Sequence, residues 1–207
     1  MRILFAGVVL FCAMAASVAN ADIVGTYVDA TLSNTTPGSA ITAVDDGQDT
    51  DNLWFVRART EPTNWDVLVS NSPTEDSPAL TTTVSGVANG SYNVYAVYWV
   101  GTNEEQDWNI QAGLAGGSLS VFGEDVGSAT GFVVDDKQQR QALIGQVSVT
   151  NGSFAVTIDD GGRMTELVDY RSWYDGVSYE PVPEPSLFVL TLTGMLGLLA
   201  YAWRKRK

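Results

Sequence analysis

The densest group of side chains that could bind a ligand is the acidic segment 45–52, which reads Asp-Asp-Gly-Gln-Asp-Thr-Asp-Asn. Closely spaced carboxylates, a glycine that permits a sharp turn and a terminal amide oxygen suit Ca²⁺, an ion that prefers oxygen ligands. The spacing differs from that of an EF-hand loop, which ends on a bidentate Glu. The segment therefore predicts either a calcium site or a solvated acidic loop, with the candidate ligands Asp45, Asp46, Asp49 and Asp51.

Two further acidic pairs, Asp135-Asp136 and Asp159-Asp160, are weaker metal candidates. Each lies in a predicted turn, where Asp is favoured for backbone reasons alone.

Tryptophans are the second type of residue that could bind a ligand. Trp65 lies between Asn64 and Asp66, and Trp108 lies between Asp107 and Asn109. An exposed ring could stack on a sugar while the polar neighbours bond its hydroxyls, so Trp65 and Trp108 are candidates for glycan stacking. Either ring could instead fill the core and turn its N–H toward a partner.

Catalysis is the third possibility, since two carboxylates can hydrolyse a glycosidic bond when one is held protonated. Glu104, Glu105 and Asp107 are candidates, but they share one polar stretch in which acids are usually solvated and unperturbed. The chain has no histidine, and its single cysteine is Cys12. Cysteine–histidine zinc sites and serine–histidine–aspartate triads are therefore excluded, and we expect a protein that is not an enzyme.

The amino terminus has the features of an export signal. Arg2 gives a positive start, residues 3–16 are apolar, and Ala19-Asn20-Ala21 forms a small-x-small cleavage site. We predict a signal peptide over residues 1–21, which would remove Cys12 and leave Asp22 as the first mature residue; the alternative is a retained anchor.

The carboxyl terminus combines three features in a short stretch. Pro183 and Pro185 hold the backbone extended. Residues 187–203 carry no charge and would span about 25 Å as a helix, a short transmembrane segment. Four basic residues follow this segment, Arg204, Lys205, Arg206 and Lys207. They would stop transfer of the chain across the membrane and stay on the cytoplasmic side. An ordinary single-pass anchor explains the same pattern.

The order Val182, Pro183, Glu184, Pro185, apolar helix and basic tail resembles the PEP-CTERM sorting signal of Gram-negative bacterial envelopes. The resemblance covers residues 181–207. It implies an exosortase-type membrane peptidase that reads Pro-Glu-Pro in the inner membrane, removes the helix, and releases or attaches the protein at the surface. Such tails follow many unrelated domains, so the resemblance does not extend to residues 22–180.

Residues 22–180 contain 23 acidic and six basic residues, a formal net charge of −17. A domain this acidic repels nucleic acid, so no nucleic-acid partner is expected.

Short strand-like runs separated by turn residues fill this region, and several alternate at period two, as in residues 92–100. Asn89-Gly90 and Asn151-Gly152 are the strongest hairpin signals, and only residues 164–170 suggest a helical turn. The pattern predicts an all-β domain, a two-sheet antiparallel sandwich of jelly-roll type. Its predicted strands are 22–32, 52–60, 65–70, 80–85, 92–100, 108–114, 118–122, 141–150, 153–158 and 173–180.

The closing run 173–180 is weakly similar to the last strand of galactose-binding and carbohydrate-binding sandwiches. We therefore expect an exported protein of the cell envelope or extracellular matrix whose ectodomain is structural, adhesive or glycan-binding, with extracellular polysaccharide as a partner. No cofactor is expected to be required, although Ca²⁺ would fit. The alternatives are a carboxylate-dependent glycan-active enzyme and an ordinary membrane-anchored protein.

Overall fold

The structure is a computed structural model that describes residues 23–42, 51–58, 66–70, 76–102, 107–123, 125–134, 136–160, 170–183 and 187–205. The predicted signal peptide, most of the predicted calcium segment, Trp65, Glu104, Glu105 and residues 164–169 lie outside these ranges.

The described residues before the carboxyl-terminal tail are almost entirely β-structure. In chain order the strands are β1 (Thr26–Asp29), β2 (Thr35–Thr36), β3 (Ile41–Thr42), β4 (Trp54–Arg57), β5 (Val67–Ser70), β6 (Leu80–Ser85), β7 (Gly90–Gly101), β8 (Asp107–Trp108), β9 (Ile110–Leu114), β10 (Ser120–Phe122), β11 (Ser128–Val134), β12 (Lys137–Val149), β13 (Ser153–Asp160) and β14 (Tyr170–Pro181).

These strands form two sheets, which confirms the predicted all-β sandwich. The larger sheet has the order β11-β12-β7-β14-β5-β4-β3, with β1 and β8 also pairing with β14. The smaller sheet has the order β10-β9-β13-β6-β2. Every pair is antiparallel except β3–β4 and β8–β14, which are short and parallel.

The centre of the larger sheet is the three long strands β12, β7 and β14. Strand β7 pairs with β12 along residues 90–101 and with β14 along residues 92–99. In the carboxyl-terminal half of β7, every residue from Ala96 to Val100 is buried, so both faces of the strand are covered there. A strand that is apolar on both faces is expected in the middle of a sheet, and here both of its edges are paired.

Side chains from both sheets meet in one hydrophobic core. Phe154 of the smaller sheet contacts Tyr179 of the larger sheet edge to face, with ring centroids 5.5 Å apart. The Tyr174 hydroxyl donates a hydrogen bond across the same space to Thr82 Oγ1 at 2.9 Å. Four tryptophans are at most 1% exposed, Trp54, Trp99, Trp108 and Trp173. Aromatic burial on this scale accounts for a large share of the stability of a domain that contains no disulfide.

Both predicted Asn-Gly hairpins are wrong, although both turns exist. The turn at Asn89-Gly90 joins β6 to β7, and the turn at Asn151-Gly152 joins β12 to β13. In each case the two strands belong to different sheets, so the turn carries the chain across the sandwich. Strand β11 and the first residues of β12 were not among the predicted strands.

The carboxyl-terminal tail contains one helix, α1, over Leu187–Arg204. In the described part of the chain no helix is long and apolar enough to cross a membrane. This finding corrects the predicted transmembrane segment 187–203.

Candidate functional site

Strand β14 changes its neighbour halfway along its length. Its carboxyl-terminal part pairs with β1, where Gly176 is opposite Asp29. Its amino-terminal part pairs with β5, where Tyr174 is opposite Leu68. The residue between these two positions, Asp175, is a bulge, because Tyr174 and Gly176 face consecutive residues of β7. We call this place the strand junction. Bulges often occur beside functional sites, because they re-aim a side chain.

The Asp175 carboxylate is only 1% exposed and is held by three donors. Trp99 Nε1 donates to Oδ2 at 2.8 Å, and Gln139 Nε2 donates to the same oxygen. The Tyr27 hydroxyl donates to Oδ1 at 2.9 Å. Gln139 is itself oriented by Thr130, whose Oγ1 donates to Gln139 Oε1 at 2.7 Å. Hydrogen bonds to an ionised acceptor are among the stronger ones in proteins, so this buried group fixes the junction.

Asp29 lies beside this carboxylate at the end of β1. The Tyr27 hydroxyl is 3.3 Å from Asp29 Oδ1 and 2.9 Å from the Asp175 backbone oxygen. Burial and the negative charge of Asp175 raise the pKa of Asp29 to about 7, although the hydrogen bond from Tyr27 opposes the shift. Burial, followed by the charge of Asp175, also raises the pKa of Tyr27, so its hydroxyl keeps its proton. The junction therefore contains an acid that titrates near neutral pH.

A cavity of about 310 Å³ opens next to Asp29, lined by Ala30, Thr31, Leu32, Ser33, Val56 and Asp66. We call it the junction pocket. Its lining combines two residues that carry hydroxyl groups, one acidic residue and three apolar residues. Small-molecule sites typically measure roughly 300–1,000 Å³ and combine apolar walls with a few fixed polar groups. The volume and the lining of the junction pocket suit a small ligand that carries hydroxyl groups.

The loop that forms one wall of the pocket is fixed by Asn34. Its Oδ1 accepts a hydrogen bond from the Thr31 backbone N–H at 2.8 Å, and its Nδ2 donates to the Asp29 carbonyl at 2.7 Å. The hydroxyls of Thr31 and Ser33 lie 2.8 Å apart. Leu32 is 50% exposed at the rim. These bonds pre-organise the wall, which lowers the ordering cost of binding a ligand.

Trp108, predicted to stack on a glycan, is fully buried. Its ring packs against Trp173 with centroids 4.7 Å apart, and its Nε1 lies 2.8 Å from the position that a Cβ on Gly101 would take. No ring face is available to a sugar, so this prediction is wrong. Trp65 lies outside the described residues, one position before Asp66 of the junction pocket.

The calcium prediction is largely untested. Of its four candidate ligands only Asp51 is described, where Oδ1 accepts a hydrogen bond from the Leu53 backbone N–H at 3.0 Å. Within the described ranges no three acidic side chains are grouped as a metal site would require. Asp159-Asp160 lies in strand β13 and not in a turn, and Asp160 accepts a hydrogen bond from the Ser77 backbone N–H at 2.8 Å.

The sorting motif is described only in part. Val182 and Pro183 follow β14, and the Val182 N–H donates to the Ser91 oxygen at 2.9 Å. Pro183 is exposed, whereas Glu184 and Pro185 lie outside the described residues, as do Arg206 and Lys207. Arg204 ends α1 and Lys205 follows it.

The sequence does not identify the junction residues Tyr27, Asp29, Asp175 and Gln139 as a site. One signal was present, since Asp175-Gly176 interrupts an otherwise strand-like run and such an interruption indicates a bulge.

We expect the free energy of unfolding to fall as the pH rises from 5 to 8. The folded state raises the pKa of Asp29 to about 7 and that of Asp159 to about 6, the latter through burial and the neighbouring Asp160. A folded protein with raised carboxyl pKa values binds more protons than the unfolded chain, so this stability is present at low pH and is lost as pH passes through the folded pKa. We expect a loss of about 1 kcal/mol from Asp29, because solvent screens this half-buried group.

Urea unfolding at pH 5, 6, 7 and 8 measures this change. Asp29→Asn should flatten the profile most between pH 5 and 7, where the folded protein holds the Asp29 proton and the unfolded chain does not. Asp125→Asn, at an exposed position, should leave the profile unchanged. A stability that rises with pH over this range would contradict the prediction.

No protein-family model and no curated protein matches the chain. Among solved structures, the Podospora anserina GH26-CBM35 β-(1,4)-mannanase is similar, with 16% identity, a TM-score of 0.40 and 67% of this chain covered. The match covers 28% of the mannanase chain, so this chain corresponds to less than a third of that protein. A similarity this low assigns neither an activity nor a ligand to this chain.

Proposed function

We propose that this protein is an exported surface protein whose β-sandwich binds a polysaccharide in the junction pocket without cleaving it. The observation that supports the proposal is the lining of that pocket, in which Thr31, Ser33 and Asp66 line a cavity of about 310 Å³ together with apolar residues. Sugars present many hydroxyl groups, each a donor and an acceptor, and these pocket groups complement them.

The hydrogen bonds around Asp175 at the strand junction support a binding function more than a catalytic one. Asp175 is buried and engaged by three donors, and the Tyr27 hydroxyl lies between it and Asp29. A carboxylate held in this way orders the backbone of the junction. The alternative is a glycan-active enzyme, which the raised pKa of Asp29 would suit as a general acid.

We propose that the tail after β14 is a processing signal read by an exosortase-type peptidase at the inner membrane. The exposed Pro183 lies one residue beyond the last hydrogen bond of the sandwich, at Val182. Basic residues Arg204 and Lys205 end the described tail. The processed protein would then reside on the cell envelope or in the extracellular matrix of a Gram-negative bacterium.

Asp66→Asn is expected to weaken polysaccharide binding about tenfold or more. The substitution keeps the shape of the side chain but removes a charged acceptor, and a hydrogen bond to a charged group contributes about 1.5–3 kcal/mol. Affinity electrophoresis in gels containing neutral or acidic polysaccharides measures the change in mobility.

Asp125→Asn removes the same charge at an exposed position outside the pocket and serves as the matched control. Equal affinities for wild type and Asp66→Asn would exclude the junction pocket as the binding site. Release of reducing sugar from a retained polymer would favour the enzyme instead.

A further inference from the structure

A second cavity, of about 550 Å³, lies where β14 ends and β7 begins. Residues 89–92 line one side of it and residues 181–183 line the other. We call it the tail pocket. The described residues of its lining carry no charge, and they combine the polar Asn89 and Ser91 with Tyr92, Val182 and two prolines. Its volume lies within the range of small-molecule sites, roughly 300–1,000 Å³.

Hydrogen bonds hold both sides of the tail pocket in place. The Val182 N–H donates to the Ser91 oxygen at 2.9 Å, and the Tyr92 hydroxyl donates to the Ala88 oxygen at 2.9 Å. The Tyr92 ring also packs edge to face against Tyr179, with ring centroids 5.5 Å apart. A cavity whose walls are fixed before binding lowers the ordering cost of taking up a ligand.

Beside the tail pocket, four side chains form a hydrogen-bonded row across three strands of the larger sheet. Gln146 Nε2 donates to Asn93 Oδ1 at 2.9 Å, and Asn93 Nδ2 donates to Glu180 Oε1 at 3.4 Å. The Tyr95 hydroxyl donates to the same Glu180 oxygen at 2.6 Å. We call Gln146, Asn93, Glu180 and Tyr95 the polar row. It crosses β12, β7 and β14, and all four residues are at least partly exposed.

The polar row lies on the face of the larger sheet that points away from the core. Tyr92 and Tyr179 point into the core, where Tyr179 contacts the smaller sheet. Successive side chains of a strand alternate between the two faces, so Asn93 and Glu180 lie on the opposite face. Ser91 of the tail pocket is on that face too, two residues or about 7 Å before Asn93. The tail pocket and the polar row therefore adjoin.

The polar row offers the groups that recognise sugar hydroxyls. Burial, followed by the hydrogen bond to Glu180, raises the pKa of Tyr95 to about 12, so its hydroxyl stays protonated and donates to Oε1. The other carboxylate oxygen of Glu180 accepts no hydrogen bond from a described residue. A carboxylate oxygen accepts from a hydroxyl, and an amide such as that of Gln146 both donates and accepts. Adjacent hydroxyls of one sugar can therefore bond to several of these groups.

We propose that the tail pocket and the polar row together form a second site for a neutral polysaccharide. This inference rests on the proposed polysaccharide-binding function and adds a site to it. The charge of Glu180, in a region with a formal net charge of −17, disfavours an acidic polymer. Pro181 follows Asp175 by six residues of β14, about 20 Å, so the second site is separate from the junction pocket. Two sites on one molecule raise the affinity for a polymer through avidity.

The first test is affinity electrophoresis of the purified full chain. The gels contain dextran, galactomannan or hydroxyethyl cellulose, which are neutral, or polygalacturonate, which is acidic. We expect at least one neutral polymer to retain the protein. In 50 mM salt, where charges are weakly screened, polygalacturonate should retain it about fivefold less strongly or weaker still. Stronger retention by polygalacturonate than by every neutral polymer would contradict the inference.

Variants locate the site on the neutral polymer that retains the protein best. Glu180→Gln keeps an acceptor for Tyr95 but removes the charge, and should weaken retention about fivefold or more. Gln146→Ala removes an exposed amide and should weaken retention about threefold. Gln138→Ala removes the same side chain from β12 outside the polar row, and Asp125→Asn removes an exposed acid outside both pockets. Both controls should match the wild type.

Melting temperatures of all variants accompany these measurements. Because Gln146 is exposed, its truncation tests the site even if Glu180→Gln lowers the melting temperature. Equal retention of the wild type and Glu180→Gln, or equal losses for Gln138→Ala and Gln146→Ala, would overturn the inference.

Asp66→Asn separates this inference from the proposed function. If Asp66→Asn abolishes retention and Glu180→Gln leaves it unchanged, the proposed function stands with the junction pocket alone. If each substitution weakens retention and the double variant loses more than either, both sites bind, since substitutions this far apart act independently. If none of the polymers retains the protein, both proposals fail.

Discussion

Replacement of Asp175 by alanine is expected to lower the free energy of unfolding by about 3–5 kcal/mol. The carboxylate accepts hydrogen bonds from Trp99, Gln139 and Tyr27 at the strand junction; the first two bonds are buried and the third is partly buried. Removing the acceptor leaves buried donors without this partner, and each unsatisfied buried group costs about 1–3 kcal/mol. Neighbouring side chains can shift and accept some of these hydrogen bonds. The expected loss of unfolding free energy is therefore smaller than the cost of three unsatisfied donors.

Denaturant unfolding at pH 7 measures the loss, and two variants calibrate it. Asp175→Asn keeps one acceptor oxygen and should be intermediate. Asp125→Ala truncates an exposed acid and should change stability by less than about 0.5 kcal/mol. A loss below 1 kcal/mol for Asp175→Ala would mean that the buried network does not hold the junction together.

Replacement of Pro183, Glu184 and Pro185 together by alanine is expected to abolish processing of the tail. Proline restricts its own backbone and that of the residue before it to extended conformations, and replacement by alanine removes this restriction. We expect only a full-length species, where the wild type gives a shorter form.

The intact mass and the carboxyl-terminal peptide of protein recovered from membrane and surface fractions distinguish these forms. Ser186→Ala alters the residue next to the motif and should be processed normally. If the triple variant is trimmed like the wild type, no peptidase reads Pro-Glu-Pro in this chain.

The central part of the fold could be predicted because it depends on local patterns. Residues 92–100 alternate at period two and are apolar on both faces, and they form β7, with a paired strand on each side. Strand β13 matches its predicted range to within two residues. In both strands hydrophobic periodicity and burial agree, which is the condition under which sequence patterns are most informative.

Strand β11 was missed for a physical reason that its residues make clear. It contains Gly131 with φ of +86°, and its register with β12 shifts between Ala129 and Val133. The facing start of β12 reads Lys-Gln-Gln-Arg-Gln, which lacks an apolar alternation. An edge strand with a bulge and a polar partner produces no period-two signal.

The candidate site could not be predicted, because it depends on the register of four strands, β1, β7, β12 and β14. Asp175 reaches Trp99, Gln139 and Tyr27 across sequence separations of 76, 36 and 148 residues. No local pattern connects these positions. The Asn-Gly turns failed for a related reason, since a turn type fixes local backbone geometry but not the sheet that the next strand joins.

The hydrogen bond from the Val182 N–H to the Ser91 oxygen has a mechanical consequence. This bond holds the residue directly after β14 against the sandwich. A force applied to the tail therefore acts directly on β14, a strand at the centre of the larger sheet. Antiparallel hydrogen bonds run perpendicular to the strands, and a force along β14 therefore loads its bonds to β7 together, in shear. A sandwich tethered through this end would resist extension as a unit and would not unzip one bond at a time.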